Sequence, residues 1–291
     1  MKIVQKNHHL DAAIALLRSK ERAKELLRSL EQRANGTYKF LADDNLGFKA
    51  VVLAVLNAGA TVTLVSSEPR NDGQIQGTSL LIQTACQSYL GSSVRLAQTV
   101  MPVGNPRLEQ SFATAGFHSL ATLNYMERAR SSSKLPQKRL EHTRFITMTD
   151  LSDSQLGALM QETYIGSLDC PKIHGIRLMQ DIINGHRGHG QYDAQLWFIA
   201  EVKGTQVGVL LLNPVQEMQC TELAYLGVVP HARGKGVGNT MMHHAIEQSM
   251  KQGLPRITLA VDANNLPAIQ LYKKWNFHKT KERLTMIRKF C

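Results

Sequence analysis

Apolar and polar positions in the second half of the chain change period repeatedly, and each change predicts an element. In "DLSDSQLGALMQETY", Asp150–Tyr164, an acidic cap precedes Leu156, Leu159 and Met160, which share one helical face. "RLMQDIING", Arg177–Gly185, predicts a second short helix. "LWFIAEV" and "VGVLLLNP" predict two strands joined by the turn "KGTQ". "TELAYLGVV", Thr221–Val229, is a further strand, and "GNTMMHHAIEQSMKQG" is a helix closed by Gly253. "RITLAVD" is a strand, a short helix begins near Pro267, and "RLTMIRKF" is a closing strand. Helices, a meander, then alternating strands and helices predict an α/β domain with a mixed sheet.

The first half repeats this pattern in blurred form. Its most apolar stretch, "AVVLAVLNAGATVTLV" at Ala50–Val65, is too short for a membrane span, is broken by Asn57 and Gly59, and suits two buried strands. "LLRSKERAKELLRSLEQR", Leu16–Arg33, predicts one basic amphipathic helix with Leu16, Ala23, Leu26, Leu27 and Leu30 as its apolar stripe. A shift of 160 residues lays Asn105 on Asn265, Phe112 on Tyr272, Phe117 on Phe277 and His118 on His278. A shift of 161 lays Pro69 on Pro230, Gly73 on Gly234 and Gly77 on Gly238. Ordered matches at nearly one offset predict a duplication. The polar, basic segment at 129–144 reads as a linker between domains at 1–128 and 145–291.

Composition narrows the picture slightly. The chain has 291 residues, enough for two domains, with 43% hydrophobic and 20% charged residues, as in ordinary globular proteins. A net charge of +11 permits polyanionic ligands, but there is no aromatic-interleaved RNA platform and no zinc finger, so nucleic acid is a poor candidate partner. Cys86, Cys170, Cys220 and Cys291 form no CxxC pair, so neither a disulfide framework nor a metal site is expected. His243 and His244 point to different faces of their helix, so they are not expected to share a metal. The opening "MKIVQKNHHLDAAIALL" has no uninterrupted apolar core of the signal-peptide type, and a cytoplasmic protein without membrane attachment is expected.

The candidate chemistry lies around "HARGKGVGNT", His231–Thr240, between a strand and a helix. A phosphate cradle needs converging backbone N–H groups, glycines that let the ligand approach, and a helix start behind them. The spacing is neither that of the dinucleotide fingerprint nor that of the Walker loop. "VVPHARGKGVG" resembles the acyl-coenzyme A loop of the GNAT superfamily of N-acetyltransferases, with Arg233, Gly236 and Gly238 at its pattern positions. "NLPAIQLYKKWNF" resembles the family's second motif at Asn265, Ala268, Leu271, Tyr272 and Phe277; Asn276 stands in place of the family glycine, a mild departure because Asn tolerates a left-handed backbone. The resemblance is strong over 145–291 and weak over 34–128.

The resemblance implies two tandem acyl-CoA N-acyltransferase-like domains, each a mixed central sheet flanked by helices. It implies acetyl-CoA as acyl donor, with the pyrophosphate against Arg233, Gly234, Lys235, Gly236, Val237 and Gly238. The backbone of Leu226, Gly227, Val228 and Val229 would meet the pantetheine arm and thioester, and Asn265 would lie near the pantetheine. Tyr272 matches the general acid toward the leaving thiolate, and Glu222 the family's catalytic glutamate, with His231 as a rival base. Trp275 and Phe277 are expected in the core.

The acceptor would be a primary amine of a small molecule or peptide, attacked directly. "ETYIGSLDCPKIHGIR", Glu162–Arg177, is the candidate pocket wall, where Asp169 could hold a cationic amine and Arg177 an acidic group. Asn184–Asp193 is a candidate loop flanking the same mouth. Cys170 supports a covalent scheme only if a base activates it. In the first half, Asp72, Ile75 and Phe112 stand where the second has Arg233, Gly236 and Tyr272, and Thr61 lies opposite Glu222, which predicts a fold without the reaction. Alternatives are a mycothiol-synthase-like acyltransferase, or a non-catalytic module binding coenzyme A or nucleic acid. The oligomeric state is open between monomer and homodimer.

Overall fold

The computed structural model describes residues 2–32, 38–43, 48, 50–130 and 139–290. Half of the proposed linker, 131–138, together with Arg33 and Cys291, lies outside the described residues. The elements run β1 (Lys2–Ile3), α1 (His9–Leu17), α2 (Lys20–Glu31), β2 (Tyr38–Ala42), β3 (Val51–Asn57), β4 (Thr61–Ser66), α3 (Ile75–Gln87), β5 (Leu96–Pro102), α4 (Pro106–Thr114) and β6 (His118–Ala129). The same succession follows as β7 (Thr143–Thr147), α5 (Asp153–Tyr164), α6 (Met179–Arg187), β8 (Trp197–Val202), β9 (Thr205–Val215), β10 (Cys220–Val228), α7 (Val237–Lys251), β11 (Arg256–Asp262), α8 (Leu266–Lys274) and β12 (His278–Lys289). No helix among the described residues is long and apolar enough to cross a membrane.

The chain divides into two compact units, Met1–Leu120 with Arg283–Cys291, and Ala121–Glu282. A cut at 129–144 would leave β6 with the first half and β12 with the second. The contacts instead give each unit the other half's closing strand. In unit 1, β5 pairs antiparallel with β12 from Leu96↔Lys289 to Pro102↔Arg283. In unit 2, β11 pairs antiparallel with β6 from Arg256↔Ala129 to Asp262↔Leu123. Met126 and Met286, equivalent under the shift of 160, are therefore buried in exchanged cores. In both units the other neighbours pair antiparallel, except β4–β5 and β10–β11, which are parallel.

Local chemistry accounts for the elements. The unbroken apolar run of β3 is buried on both faces: Val52 and Ala54 pack into one core with Phe112, while Val51, Leu53 and Val55 pack into another with Ala12 and Phe40. The helix expected over Leu16–Arg33 is two helices. Arg18 turns left-handed (φ 53) and Ser19 caps α2 by accepting from Arg22 N, so the apolar stripe crosses a corner. The stripe packs on its own unit's core. Helix α5 begins at Asp153 rather than Asp150, because Ser152 and Gln155 form a capping box there. Asn105 and Asn265 each cap their helices, accepting from Leu108 N and Ala268 N. Asn276 adopts the left-handed backbone (φ 61), as does its counterpart Gly116 (φ 84). Lys203 and Gly204 form a two-residue hairpin turn, both with positive φ.

Candidate active site

Strand β10 is held along its whole length by β9, from Cys220↔Val215 to Val228↔Gly208, with a bulge at Ala224. Its pairing with β11 stops after Thr221↔Ile257 and Glu222↔Thr258. From Leu223 onward the two strands part, and the edge of β10 that faces β11 carries no strand partner. Unpaired backbone groups in a wedge between strands are free to bind a ligand. A cavity of ≈ 340 Å³ lies at this opening. Leu223–Val228 line one wall and Ala260 and Val261 the other, with the end of α5, the loop after it and α8 completing it.

At one end lies the glycine loop. Gly234 (φ 72) and Gly236 (φ 87) hold backbone conformations that a β-carbon disfavours. Gly236 is the N-cap of α7 and offers no side chain to its first-turn N–H groups, which remain available to an anion. Arg233 behaves differently from the expectation of a charge aimed at phosphate. Its Nε donates to Val228 O (3.0 Å) and its Nη2 to Thr163 O (2.9 Å), tying the loop to the ends of β10 and α5. Lys235 and His231 line a second cavity, with Arg139 and Lys203, and His231 does not line the first. Val229 and Val237 are buried in the core, and the backbone of Val229 is already committed, its N–H to Val207 O (3.0 Å) and its carbonyl to Ala232 N (3.0 Å).

At the other end stand Tyr272, Asn265 and Asp169. Tyr272 is buried beside Phe277, and its hydroxyl has no hydrogen-bond partner among the described residues. Burial, then the nearby Asp169 carboxylate, push its pKa up, so the phenol keeps its proton at neutral pH. Asp169 Oδ1 accepts from Asp262 N (3.0 Å), and Asp262 Oδ2 accepts from Cys170 N (3.2 Å). These reciprocal bonds pin the loop after α5 to the end of β11. Burial raises the Asp169 pKa against the Asp262 and Asn265 hydrogen bonds, which favour the anion.

Between the two ends, Tyr225 Oη meets Thr163 Oγ1 at 2.5 Å. Thr163 already donates to Met160 O (2.7 Å), so Tyr225 is the donor. This pair covers Gly227, where a β-carbon would lie 2.5 Å from Tyr225 Oη.

Some predicted residues are not brought together. Leu226, Gly227, Val228, Arg233, Gly234, Gly238 and Asn265 share the cavity with Tyr272, but Glu222 does not line it. Glu222 makes an ion pair with His189 on the loop after α6. Arg177 donates to Asp181 O (2.9 Å) and also stands outside the lining. Burial, followed by the Asp169 and Asp262 charges, pushes the Cys170 thiol up to about 12, which keeps it a poor nucleophile. Sequence reasoning missed the Tyr225–Thr163 pair. The signal available was Gly227 inside an otherwise branched and aromatic strand, which marks a close approach.

Residues 163–277 match the acetyltransferase (GNAT) family model. The chain carries a GNAT acetyltransferase domain. The matched segment contains every residue that lines the cavity. Over 100 residues the chain is 28% identical to the mycothiol acetyltransferase of Streptomyces griseus, an alignment covering 34% of this chain and 33% of that protein. The match thus spans about a third of that relative's length. A GCN5-related N-acetyltransferase from Sphaerobacter thermophilus superposes with a TM-score of 0.66 at 14% identity, covering 99% of this chain and 94% of that one. A tandem GNAT protein from the clavulanic acid biosynthesis pathway superposes with a TM-score of 0.55 at 10% identity over 99% of this chain and 97% of that one. The tandem GNAT fold therefore extends beyond the matched GNAT domain to the whole chain.

Proposed function

We propose that the GNAT domain transfers an acetyl group from acetyl-CoA to a primary amine by direct attack. The observation that carries this reading is the wedge between β10 and β11, with an anion-suited glycine loop at one end and a protonated tyrosine at the other. The residues fit the donor. The backbone of Gly234–Gly238 would hold the pyrophosphate, and the edge of β10 at Leu226–Val228 would hydrogen-bond the pantetheine, except at Val228 O, which Arg233 occupies, whereas Val229, expected to join them, is bonded to Val207 and Ala232. Gly227 and Gly238 keep the passage clear: a β-carbon at 238 would lie 3.3 Å from Leu271 Cδ2. Bound acetyl-CoA supplies an activated thioester. In the transfer a C–N bond forms and the C–S bond breaks, one proton leaves the nitrogen and one reaches the sulfur. Tyr272 is the donor of the second proton. Glu222, outside the lining and paired with His189, would take the first only through intervening water. Arg233 serves as a brace rather than a phosphate ligand.

Unit 1 has the same element succession without this chemistry. Asp72, at the position of Arg233, pairs with Arg107 (2.7 Å), and Phe112, at the position of Tyr272, has no proton to give. Its role is support of the fold. The likeness to a mycothiol acetyltransferase supports a mycothiol-synthase-like acyltransferase as the second reading. A thiol-release screen with acetyl-CoA against amino sugars, polyamines, amino acids and peptides tests the reading. Thiol release with at least one amine is expected, and acetyl-CoA binding without transfer to any of them would leave only a binding module.

A further inference from the structure

Asp169 is the sole carboxylate among the residues that line the cavity, and Arg233 the sole Lys or Arg. No Lys or Arg pairs with Asp169 among the described residues, although Asp262 holds a second carboxylate beside it. Asp169 is half-buried beside the buried Asp262 carboxylate, and among the described residues His174 and hydrogen bonds, rather than a Lys or Arg, favour its charge. The surroundings suit a cation. Tyr164 and His174 stack 4.8 Å apart at 9°, and Tyr225 stands edge-on to Tyr164 at 6.0 Å. Aromatic faces beside a carboxylate attract an alkylammonium. An acceptor that also carried an acid would need a cation of its own here. Arg233 is committed to two backbone carbonyls, and Arg177 lies outside the lining.

We propose that the acceptor is a primary amine with no carboxylate beside its nitrogen, held as an ammonium against Asp169 and alongside the Tyr164–His174 stack and Tyr225. This rests on the acetyl-transfer reading above and narrows its substrate class.

Matched pairs that differ only in the carboxylate test it: phenethylamine against phenylalanine, and pentylamine against norleucine. Transfer is followed by thiol release, and amine binding by thermal stabilisation in the presence of coenzyme A. The decarboxylated member of each pair should react at least ~10-fold better in kcat/KM. Asp169→Asn keeps an oxygen to accept from Asp262 N and removes the charge. It should raise KM for phenethylamine about 10- to 100-fold, with the Kd of acetyl-CoA, by calorimetry, within about twofold. The pair comparison needs no variant, so it stands if Asp169→Asn misfolds. Amino acids that react as well as their amines overturn the inference, as does a folded Asp169→Asn with unchanged KM. So does acetyl-CoA binding with no response, in rate or stabilisation, to any of the four amines. Failure of acetyl-CoA to bind at all would defeat the transferase reading and this inference with it.

Discussion

Gly227→Ala should be disproportionately damaging for a one-methyl change. The added β-carbon would lie 2.5 Å from Tyr225 Oη and 2.7 and 2.8 Å from Thr163 Oγ1 and Cβ. Thr163 cannot retreat: it is buried in the last turn of α5 and its hydroxyl is bonded to Met160 O. Tyr225 must therefore move, which breaks its hydrogen bond to Thr163. Overpacking costs ~1–3 kcal/mol, and a buried hydroxyl left unpaired a further ~1–3 kcal/mol. The sum of ~2–6 kcal/mol corresponds to a melting temperature lowered by at least ~4 °C for a domain of this size. A thermal melt reads this directly. A double-mutant cycle with Tyr225→Phe isolates the cause, because Phe removes the closest atom. The pair should be less destabilised than the sum of the single changes by ~1 kcal/mol or more. A Gly227→Ala melt within about 1 °C of the parent, or strict additivity in the cycle, would refute the close-approach argument.

Tyr272→Phe removes a hydroxyl that no described residue hydrogen-bonds, so the melting temperature should stay close to the parent's while kcat falls ~100-fold or more; unchanged turnover would remove the acid role. Gly236→Glu places a carboxylate at the start of α7 and a side chain on a left-handed backbone. The Kd of acetyl-CoA should rise at least ~10-fold, well beyond the effect of Gly236→Ala, which carries only a strain of ~1–2 kcal/mol; equal affinities for the two variants would sink the cradle assignment. His244 is buried and stacked on Phe145 at 3.8 Å, and burial, followed by Arg139, pushes its pKa down to about 3. Between the unfolded value of 6.5 and about 3 the unfolded chain binds a proton that the folded chain does not, so stability is lost as pH falls through that window. Urea midpoints of His244→Leu at pH 7 and pH 4.5 should differ less than the parent's; equal differences would show that His244 is not the sensor.

The features legible in the sequence were those written locally. The glycine loop, the asparagine helix caps and the apolar run of β3 each declare themselves within a dozen residues. The corner at Arg18 was hidden because the apolar stripe continues across it, and periodicity alone does not register a single left-handed residue. Arg233 was legible as a cation beside glycines but not as a brace, since its partners at Val228 and Thr163 depend on where α5 ends in space. Asp169 was one polar residue among many until the structure showed it half-buried in the cavity lining and placed it near Tyr272. The exchange of β6 and β12 could not be read at all. The two strands occupy equivalent places in the two halves, and nothing local says which sheet each will complete.

That exchange constrains how the chain can be altered. A stop codon or recombination breakpoint in the segment at 129–144 would deprive each sheet of a strand supplied from the far side of the break. At the matched positions the first half lacks the groups that the proposed chemistry would require, yet it remains tied to the second as a donor of Ala121–Ala129 and an acceptor of Arg283–Lys289. A deletion that removes the half would leave the edge of β11 bare. Heredity treats the two halves as one unit.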